Sequence, residues 1–274
     1  MKTLIFGSRG YIGKYFVSAY PEAVCPEIDI ADSVAVAAVL DREHPEVVIN
    51  CAGRKGRPNV DWCEDHKEET LRSNVTGPLV LLEECGKRGI YWAHMGSGCI
   101  YEGGTDRAFA ESDPPNFTGS FYSKTKAWSD QILSEFPVLI FRIRMPFDGT
   151  SDPRNLINKL AGYRRVLDVQ NSVTCIPDFL AAARTLIEKR AVGPFNIVNS
   201  GTVSPFDVIE MYKTIVEPSH AFEKLVPERL SEVVKAPRSN CVLSTVKLQT
   251  LGIRLRPVKE ALSEALESIK QARK

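Results

Sequence analysis

Two side chains that can exchange protons stand four residues apart near the middle of the chain, Tyr122 and Lys126. On a helix this spacing places both side chains on one face. A tyrosine with an ordinary pKa of ~10 exchanges protons poorly at neutral pH, and a neighbouring ammonium lowers that pKa by favouring the phenolate. The pair therefore indicates a general acid, although an aromatic residue and a lysine at this spacing are also common on helix surfaces.

A serine accompanies this pair in a glycine-containing segment, where Ser97 stands between Gly96 and Gly98. It follows an apolar run, residues 90–95, that predicts a strand, so its hydroxyl is expected at the carboxyl edge of a sheet. There it can hydrogen-bond a substrate carbonyl together with Tyr122, whereas a single serine in a glycine loop is usually a turn former. The three positions together are more specific than any one of them.

The first thirteen residues predict a strand, a glycine turn and a helix. The run from Lys2 to Phe6 breaks into Gly7, Ser8, Arg9, Gly10, Tyr11, Ile12 and Gly13. Glycines three apart let the backbone turn tightly, let a pyrophosphate approach the amides, and let the helix pack closely on the strand. The helix N-terminus adds unpaired N–H donors and partial positive charge. A dinucleotide site is therefore predicted at this turn.

Strand and helix patterns alternate along the first half of the chain. Strands are predicted near residues 23–28, 47–49, 90–95, 138–143 and 195–198, and helices over 33–42, 67–88, 120–135, 156–163, 177–189, 205–216 and 258–271. Asp32 is expected to cap the first of these helices, and Gly77 and Pro78 are expected to interrupt the second. The alternation is typical of an α/β, Rossmann-like doubly wound parallel sheet with a small C-terminal substrate-binding subdomain.

The domain boundaries follow from where this alternation loosens. Residues 1–145 are expected to form an NADP-binding Rossmann domain, completed by segments near 166–198, and residues 146–274 a mainly substrate-binding subdomain. The later segments are expected to cover the carboxyl ends of the strands, where open α/β sheets bind ligands.

Composition excludes several classes of partner. With 35 basic and 34 acidic side chains, the chain has no global field that would recruit nucleic acid or an anionic membrane. No signal peptide is visible, and no apolar run approaches the ~18 residues of a membrane span. A cytoplasmic protein is expected. The seven cysteines and four histidines show no ligand spacing, so no metal site is predicted.

At this point the motifs resemble a known family over essentially the whole chain. Gly7, Gly10 and Gly13, followed by Ser97, Tyr122 and Lys126, resemble the extended short-chain dehydrogenase/reductases. Five stretches narrow the resemblance to the bifunctional nucleotide-rhamnose synthase/epimerase-reductases: residues 50–53, 56–64, 98–102, 116–126 and 236–240. The dTDP-4-dehydrorhamnose reductases share the fold and the Ser/Thr, Tyr and Lys set.

The resemblance implies roles for two further side chains. Cys99 stands two positions after Ser97, as a catalytic cysteine does in the similar GDP-fucose synthases. A thiolate is a competent base for the hydrogens beside a keto group, although a small buried cysteine is the alternative. The rhamnose-type enzymes use a lysine as the partner acid, which points to Lys159. His66 and His94 remain rival acids, and a lone histidine is more often structural.

The prediction of the cofactor rests on residues around the glycine turn. Arg9 can clamp a 2′-phosphate, which favours NADPH. Glu27 and Asp29 lie near the place where an acidic residue holds the free ribose hydroxyls of NADH, so NADH remains an alternative cofactor. Cofactor contacts are also expected from the glycine-turn residues, Tyr122 and Lys126, and from Asp29, Ile30, Cys51, Ala52, Gly53 and Asn74.

The resemblance implies an enzyme that epimerises C3 and C5 of a nucleotide-4-keto-6-deoxyglucose and reduces C4 with NADPH, yielding nucleotide-L-rhamnose. Ser97, Asn155 and Arg238 are its candidate substrate-binding residues. The nucleotide, UDP or dTDP, stays open. Two alternatives remain: a single-function 4-reductase, and a regulatory NADPH-binding protein without turnover. Many relatives are dimers, so a homodimer is also considered.

Overall fold

The protein, described here by a computed structural model of residues 1–273, divides into two compact units. The first unit holds residues 1–100, 115–142 and 183–195, and the second holds residues 101–114, 143–182 and the chain from 196 onward. Each unit has its own cluster of buried apolar side chains. No helix within residues 1–273 has both the length and the apolar character of a membrane span.

The helices and strands follow one another along the chain, and the segment between Met95 and Phe121 is among the longer connections. In order they are β1 (Thr3–Phe6), α1 (Gly13–Ala19), α2 (Ser33–Glu43), β2 (Val47–Asn50), α3 (Trp62–Asp65), α4 (Lys67–Leu71), α5 (Gly77–Lys87), β3 (Tyr91–Met95), α6 (Phe121–Leu133), β4 (Leu139–Arg142), β5 (Pro146–Phe147), α7 (Leu156–Ala161), β6 (Arg165–Leu167), β7 (Thr174–Cys175), α8 (Ile176–Glu188), β8 (Gly193–Asn196), α9 (Pro205–Ile215), β9 (Glu223–Leu225), α10 (Val246–Thr250) and α11 (Val258–Ala272).

A five-stranded sheet organises the first unit, with the strand order β1-β2-β3-β4-β8. Strands β1 to β4 pair in parallel, and every residue of β1, β2 and β4 is buried. Burial on both faces explains the continuous apolar runs of these strands. The predicted α/β fold with a parallel central sheet is confirmed, and the carboxyl ends of its strands share one edge.

The prediction of a strand over residues 23–28 is wrong. Only Val24 bridges to β1, on the side away from β2: the Ile5 amide donates to the Val24 carbonyl and the Val24 amide to the Thr3 carbonyl, each at 2.9 Å. Pro21 and Pro26 flank this bridge, and a proline has no N–H with which to extend a ladder. Pairing therefore stops after one residue.

The expected interruption at Gly77 and Pro78 is also wrong, because the chain stays helical from α4 to α5. Residues Arg72–Thr76 form a π-helical segment that joins the two helices, and Thr76 and Gly77 keep right-handed helical dihedrals. Pro78 stands at the start of α5, directly after the π segment, and the chain accommodates its missing N–H without leaving the helix. Such π segments often occur at functional sites, and this one carries Asn74.

Local signals placed the other helices well. The Asp32 side chain accepts a hydrogen bond from the Ala35 amide at the start of α2, as predicted, and Ser120 caps α6 by accepting from the Ser123 amide. Each cap satisfies a backbone donor that the first helical turn leaves without a partner.

The second unit is built from small parallel strand pairs and helices. Strand β5 pairs with β7 and β6 with β9, while α7, α9 and α11 contribute to one apolar core. Helix α11 buries Val258, Leu262, Leu266 and Ile269 at helical spacing, which explains why its periodicity was readable from the sequence.

A buried ion pair ties α6 to the sheet. Arg142 of β4 donates to both carboxylate oxygens of Asp130, from Nε at 2.9 Å and Nη2 at 2.6 Å, and both side chains are at most 3% exposed. Removing one partner leaves the other charge buried without it, so such pairs matter most when they are broken. The pair holds the helix that carries Tyr122 and Lys126.

We expect Asp130→Ala to lower the free energy of unfolding by about 3 to 5 kcal/mol, because the Arg142 guanidinium loses its carboxylate in a low-dielectric interior. Urea unfolding followed by circular dichroism measures the change. Glu223→Ala is the matched control, since it breaks the Arg164–Glu223 pair, whose side chains are 85% and 56% exposed. If both variants lose the same small amount of unfolding free energy, the buried pair does not anchor α6.

Candidate active site

The turn after β1 leaves no room for side chains at its glycines. Gly7 has a φ of +72°, and a Cβ there would lie 2.4 Å from the Ala52 nitrogen. A Cβ on Gly13 would lie 2.1 Å from the Gly7 carbonyl oxygen, and the Gly10 amide donates to that same oxygen at 2.9 Å. Backbone thus lines the turn at all three positions. This cradle fits the close approach of a dinucleotide pyrophosphate.

The segment after β2 completes the same edge of the sheet. The Cys51 amide donates to the Phe6 carbonyl at 2.9 Å, and the Ala52 amide donates to the Asn50 side-chain oxygen at 3.0 Å. A Cβ on Gly53 would contact the Asn74 side-chain oxygen at 3.4 Å. Cys51 and Ala52 therefore lie beside the glycine turn, and Gly53 lies against Asn74, while their contacts with a cofactor stay predictions.

Asn74 links this segment to helix α6. Its side-chain oxygen accepts from the Arg54 amide at 2.7 Å, and its side-chain nitrogen donates to the Arg54 carbonyl at 2.8 Å and to Thr125 Oγ1 at 3.1 Å. Thr125 in turn donates to the Tyr122 carbonyl at 2.8 Å. The Asn74 side chain is thus engaged in bracing the loop and the helix, which positions both for the site.

The charged residues at the place where the cofactor ribose is predicted to bind form exposed ion pairs. Arg9 pairs with Glu27, whose side chains are 78% and 58% exposed. Asp29 accepts hydrogen bonds from the Ala31 amide at 2.9 Å and from Arg72 Nε at 2.8 Å. Both contacts lower the pKa of Asp29, and the Ala31 amide has the larger effect. Ile30 is buried, with its side chain against Gly77. Both an arginine and carboxylates therefore stand at this end.

Ser97 and Cys99 lie just beyond the carboxyl end of β3. Ser97 is 4% exposed, and its Oγ accepts from the Cys99 amide at 3.1 Å. Cys99 belongs to the short 3₁₀ turn Gly98–Ile100 and is half-buried. Because its oxygen is already an acceptor for a backbone amide, the Ser97 hydroxyl is oriented to donate its proton elsewhere, as binding a carbonyl requires.

Helix α6 carries Tyr122 and Lys126 one turn apart, as predicted, and packs against the turn that holds Cys99. Glu64 from α3 accepts from the Phe121 amide at 2.7 Å, which fixes the first turn of α6 beside Tyr122. Tyr122 is half-buried, and Lys126 is 5% exposed with its Nζ donating to the Met95 carbonyl at 2.6 Å.

The environment of Lys126 brings the pKa of its amine closer to neutral pH. Burial lowers the pKa of Lys126 to about 8, while the negative charges of Asp130 and of an ionised Cys99 act in the opposite direction. His94 is 1% exposed, and burial, followed by the charge of Lys126, holds its pKa well below the usual value. A lysine of this kind can exchange protons as well as supply charge.

The two histidines considered as rival acids have local partners. The His66 ring stacks on Trp62 with ring centroids 3.8 Å apart, and its Nδ1 lies 2.9 Å from the Trp62 carbonyl. The His94 ring lies between Asn50, at 3.1 Å, and Lys126, at 3.4 Å. These contacts hold His66 against Trp62 and bring His94 to the predicted lysine.

Three predicted residues belong to the second unit. Asn155 is fully buried and caps α7: its oxygen accepts from the Ile157 amide at 3.1 Å and its nitrogen donates to the Asp148 carbonyl at 2.7 Å. Lys159 lies on α7. Burial lowers the pKa of Lys159, and the negative charge of Asp152 acts in the opposite direction. Arg238 donates to the Ala236 carbonyl at 2.7 Å. Their substrate roles stay predictions.

Several residues of the site were missed by sequence reasoning, namely Asn50, Glu64 and Thr125. Asn50 is the last residue of β2 and His94 the fourth of five in β3, and polar side chains in such apolar strands are a signal that was available in the sequence. Their adjacency in register comes from the pairing of β2 with β3. Glu64 and Thr125 carry no such signal, because their partners are backbone groups or side chains distant in sequence.

Comparison with known proteins supports the resemblance seen in the motifs. The RmlD substrate binding domain family model matches residues 1–271. A bifunctional dTDP-4-dehydrorhamnose 3,5-epimerase/dTDP-4-dehydrorhamnose reductase of Arabidopsis thaliana is 39% identical over 94% of this chain and 90% of its own.

Solved structures agree with the fold. The L780 UDP-rhamnose synthase of Acanthamoeba polyphaga mimivirus is 31% identical, with a TM-score of 0.92 over 98% of this chain and 99% of that chain. A dTDP-4-dehydrorhamnose reductase of Bacillus anthracis str. Ames in complex with NADP has a TM-score of 0.83 at 18% identity, covering 99% and 100% of the two chains. The matched extent and identity show that this chain belongs to the RmlD substrate binding domain family.

Proposed function

We propose that this protein is an NADPH-dependent nucleotide-sugar reductase that also epimerises its substrate. It takes a nucleotide-4-keto-6-deoxyglucose, inverts C3 and C5, and reduces C4 to give nucleotide-L-rhamnose. The observation that carries the proposal is the cluster at the carboxyl end of β3. There, buried Lys126 contacts the Met95 carbonyl, two residues before Ser97, and Tyr122 lies one turn away on α6.

The reduction follows from the donors in this cluster. NADPH, when bound, supplies hydride to C4. Tyr122 donates its phenolic proton to the C4 oxygen, and the Ser97 hydroxyl hydrogen-bonds that oxygen as negative charge develops on it. Lys126 stabilises the tyrosinate that remains, because a nearby ammonium favours the charged form. The glycine turn at Gly7, Gly10 and Gly13 would hold the pyrophosphate.

The epimerisation needs a base at carbon. The 4-keto group acidifies the hydrogens on C3 and C5, and a thiolate at Cys99 abstracts them. The 3₁₀ turn that holds Cys99 packs against α6, the helix that carries Lys126. A proton must return to the opposite face of each carbon. Lys159 is the acid that we propose for this step, because burial moves its pKa down from that of a free lysine.

The relatives support both activities without distinguishing the nucleotide. The Arabidopsis relative is named as an epimerase and reductase of dTDP-linked sugars, and the mimivirus protein as a UDP-rhamnose synthase. The single-function 4-reductase stays the alternative, because it needs Ser97, Tyr122 and Lys126 but has no use for a base at Cys99. A regulatory NADPH-binding protein would need only the glycine turn. Substrates linked to UDP and to dTDP must both be assayed.

Cys99→Ser separates the two enzymatic alternatives. A serine hydroxyl is a far weaker acid than a thiol, so proton abstraction from C3 and C5 should nearly stop while hydride transfer survives. In deuterated water without NADPH, the wild-type protein should exchange both hydrogens of the ketoglucose nucleotide, as measured by NMR, and the variant should not.

Two controls make that result specific. Given NADPH and a pre-epimerised 4-ketorhamnose nucleotide, Cys99→Ser should still form the rhamnose nucleotide. Cys25→Ser changes another half-buried cysteine and should exchange as wild type does. If wild-type protein reduces the pre-epimerised sugar but exchanges neither hydrogen, the chain is a single-function reductase.

Tyr122→Phe should abolish reduction with little effect on NADPH affinity. The hydroxyl acts only as charge develops on the C4 oxygen, so its loss lowers kcat, by roughly 100-fold or more. Stopped-flow oxidation of NADPH measures the rate, and fluorescence titration measures cofactor affinity. Turnover at the wild-type rate would remove Tyr122 from the mechanism.

Arg9→Ala should weaken NADPH binding by roughly 1.5 to 3 kcal/mol and leave NADH binding nearly unchanged, because a charge-assisted contact to the 2′-phosphate is lost. Isothermal titration with both cofactors measures the difference. Since Glu27 pairs with Arg9 and would repel the phosphate once alone, the double variant Arg9→Ala/Glu27→Ala isolates the arginine contact. Equal losses for NADPH and NADH would mean that Arg9 only supports the turn.

A further inference from the structure

A row of three buried polar side chains crosses the edge of the sheet to Lys126. Asn50 at the end of β2 is fully buried, His94 in β3 is 1% exposed, and Lys126 in α6 is 5% exposed. Asn50 and His94 are register partners in the pairing of the two strands. Burying three polar groups side by side is costly unless each has a partner. Their contacts therefore define which atoms donate and which accept.

The Asn50 amide is oriented by a backbone donor. The Ala52 amide N–H donates to the Asn50 Oδ1 at 3.0 Å, which identifies that atom as the acceptor. The Asn50 Nδ2 is then the group facing His94 Nδ1, 3.1 Å away. An amide nitrogen only donates, so His94 Nδ1 must accept. In a neutral imidazole the proton then lies on Nε2.

The Nε2–H bond of that tautomer points toward Lys126, whose Nζ lies 3.4 Å away. An ammonium has no acceptor for this hydrogen, whereas an amine has one lone pair. Nζ can still donate to the Met95 carbonyl at 2.6 Å in either state. We propose that His94 is a positioning residue for Lys126: its Nε2–H donates to the lysine amine, and Asn50 holds the imidazole in the tautomer that makes this possible.

The surroundings of Lys126 support this assignment. The titratable groups that interact with it are Asp130 on its own helix, Cys99 in the turn after β3, and His94, and Tyr122 stands one turn away on the same helix. Of these, Asp130 is engaged by Arg142. The lowered pKa of Lys126, about 8, agrees with an environment that stabilises the amine. The neutral state of His94 follows from its burial and from the nearby lysine.

The consequence for catalysis rests on the proposed function. After Tyr122 gives its proton to the C4 oxygen, the tyrosinate takes a proton from the Lys126 ammonium: an O–H bond forms, an N–H bond breaks, and the amine lone pair accepts the His94 Nε2–H. The histidine thus stabilises the product of this step. It touches neither the substrate nor the reacting atoms, and it acts through the lysine.

The tautomer is tested directly on the cofactor-free protein, independently of any activity. With ¹⁵N-labelled histidine, the ring-nitrogen shifts of His94 should show a protonated Nε2 and an unprotonated Nδ1, with the signals assigned by their loss in His94→Leu. Asn50→Asp places an acceptor beside Nδ1 and should move the proton to it. A proton on Nδ1 in the wild-type protein, or an imidazolium, would overturn the proposal.

The effect on Lys126 is tested by titration. In protein labelled with ¹³C-lysine, the Lys126 Cε signal, assigned through Lys126→Met, reports its pKa. His94→Leu removes the donor and should raise the pKa of Lys126 by roughly 0.5 to 1, the equivalent of one hydrogen bond. A histidine that only packs predicts an unchanged or lower pKa, because leucine buries the amine at least as well.

The alkaline limb of the pH profile of kcat should move to higher pH in His94→Leu, in the same direction as the pKa of Lys126. If the ¹³C titration shows the rise but no turnover is found for any variant, the proposed function fails while the role of His94 stands. If turnover is present and the pKa of Lys126 does not rise in His94→Leu, the role of His94 is refuted while the enzyme remains. Should His94→Leu not fold, Asn50→Asp with the ¹⁵N readout decides.

Discussion

The burial of one lysine amine determines how the first unit is arranged around its site. Lys126 is 5% exposed, and an amine at that depth requires partners within the protein. The Met95 carbonyl and the His94 ring, both on β3, meet this need. Helix α6 is therefore held against the carboxyl end of β3, and Tyr122, one turn from the lysine, is held with it.

Other contacts restrain the same helix from different directions. The Asp130–Arg142 pair joins it to β4, Glu64 accepts from its first turn, and Asn74 bonds to Thr125 from the π segment. Each of these partners is polar and lies in or near the interior, where an unmet hydrogen bond costs more than on the surface. These contacts hold α6 in place, and with it the spacing between Tyr122 and Lys126.

The glycine turn imposes a different kind of constraint, because it acts by excluding side chains. Backbone atoms of Gly7 and Ala52 occupy the positions where a Cβ on Gly13 or Gly7 would lie. The second unit contributes its own organised elements, with Asn155 closing the start of α7 by hydrogen bonds to the loop around Asp148. Close backbone packing thus shapes the glycine turn, and a buried side-chain cap shapes the start of α7.

The sequence by itself determined the features that depend on near neighbours along the chain. The glycine spacing, the Asp32 and Ser120 caps, the buried strands and the four-residue separation of Tyr122 and Lys126 all reflect local geometry or a short period of hydrophobicity. The same local reasoning failed at residues 23–28 and at Gly77 and Pro78. At residues 23–28 the flanking Pro21 and Pro26 limit the pairing to Val24, and at Gly77 the helix continues through a π segment that the glycine and proline did not indicate.

Only the tertiary structure decided which distant side chains share a buried site. Asn50, His94 and Lys126 are separated by 44 and 32 residues, and strand register and helix packing bring them together. The ion pair of Arg9 with Glu27 and the braces from Glu64 and Asn74 arise in the same way. Burial then sets the pKa of the lysine, and burial is a property of the folded chain that no spacing in the sequence specifies.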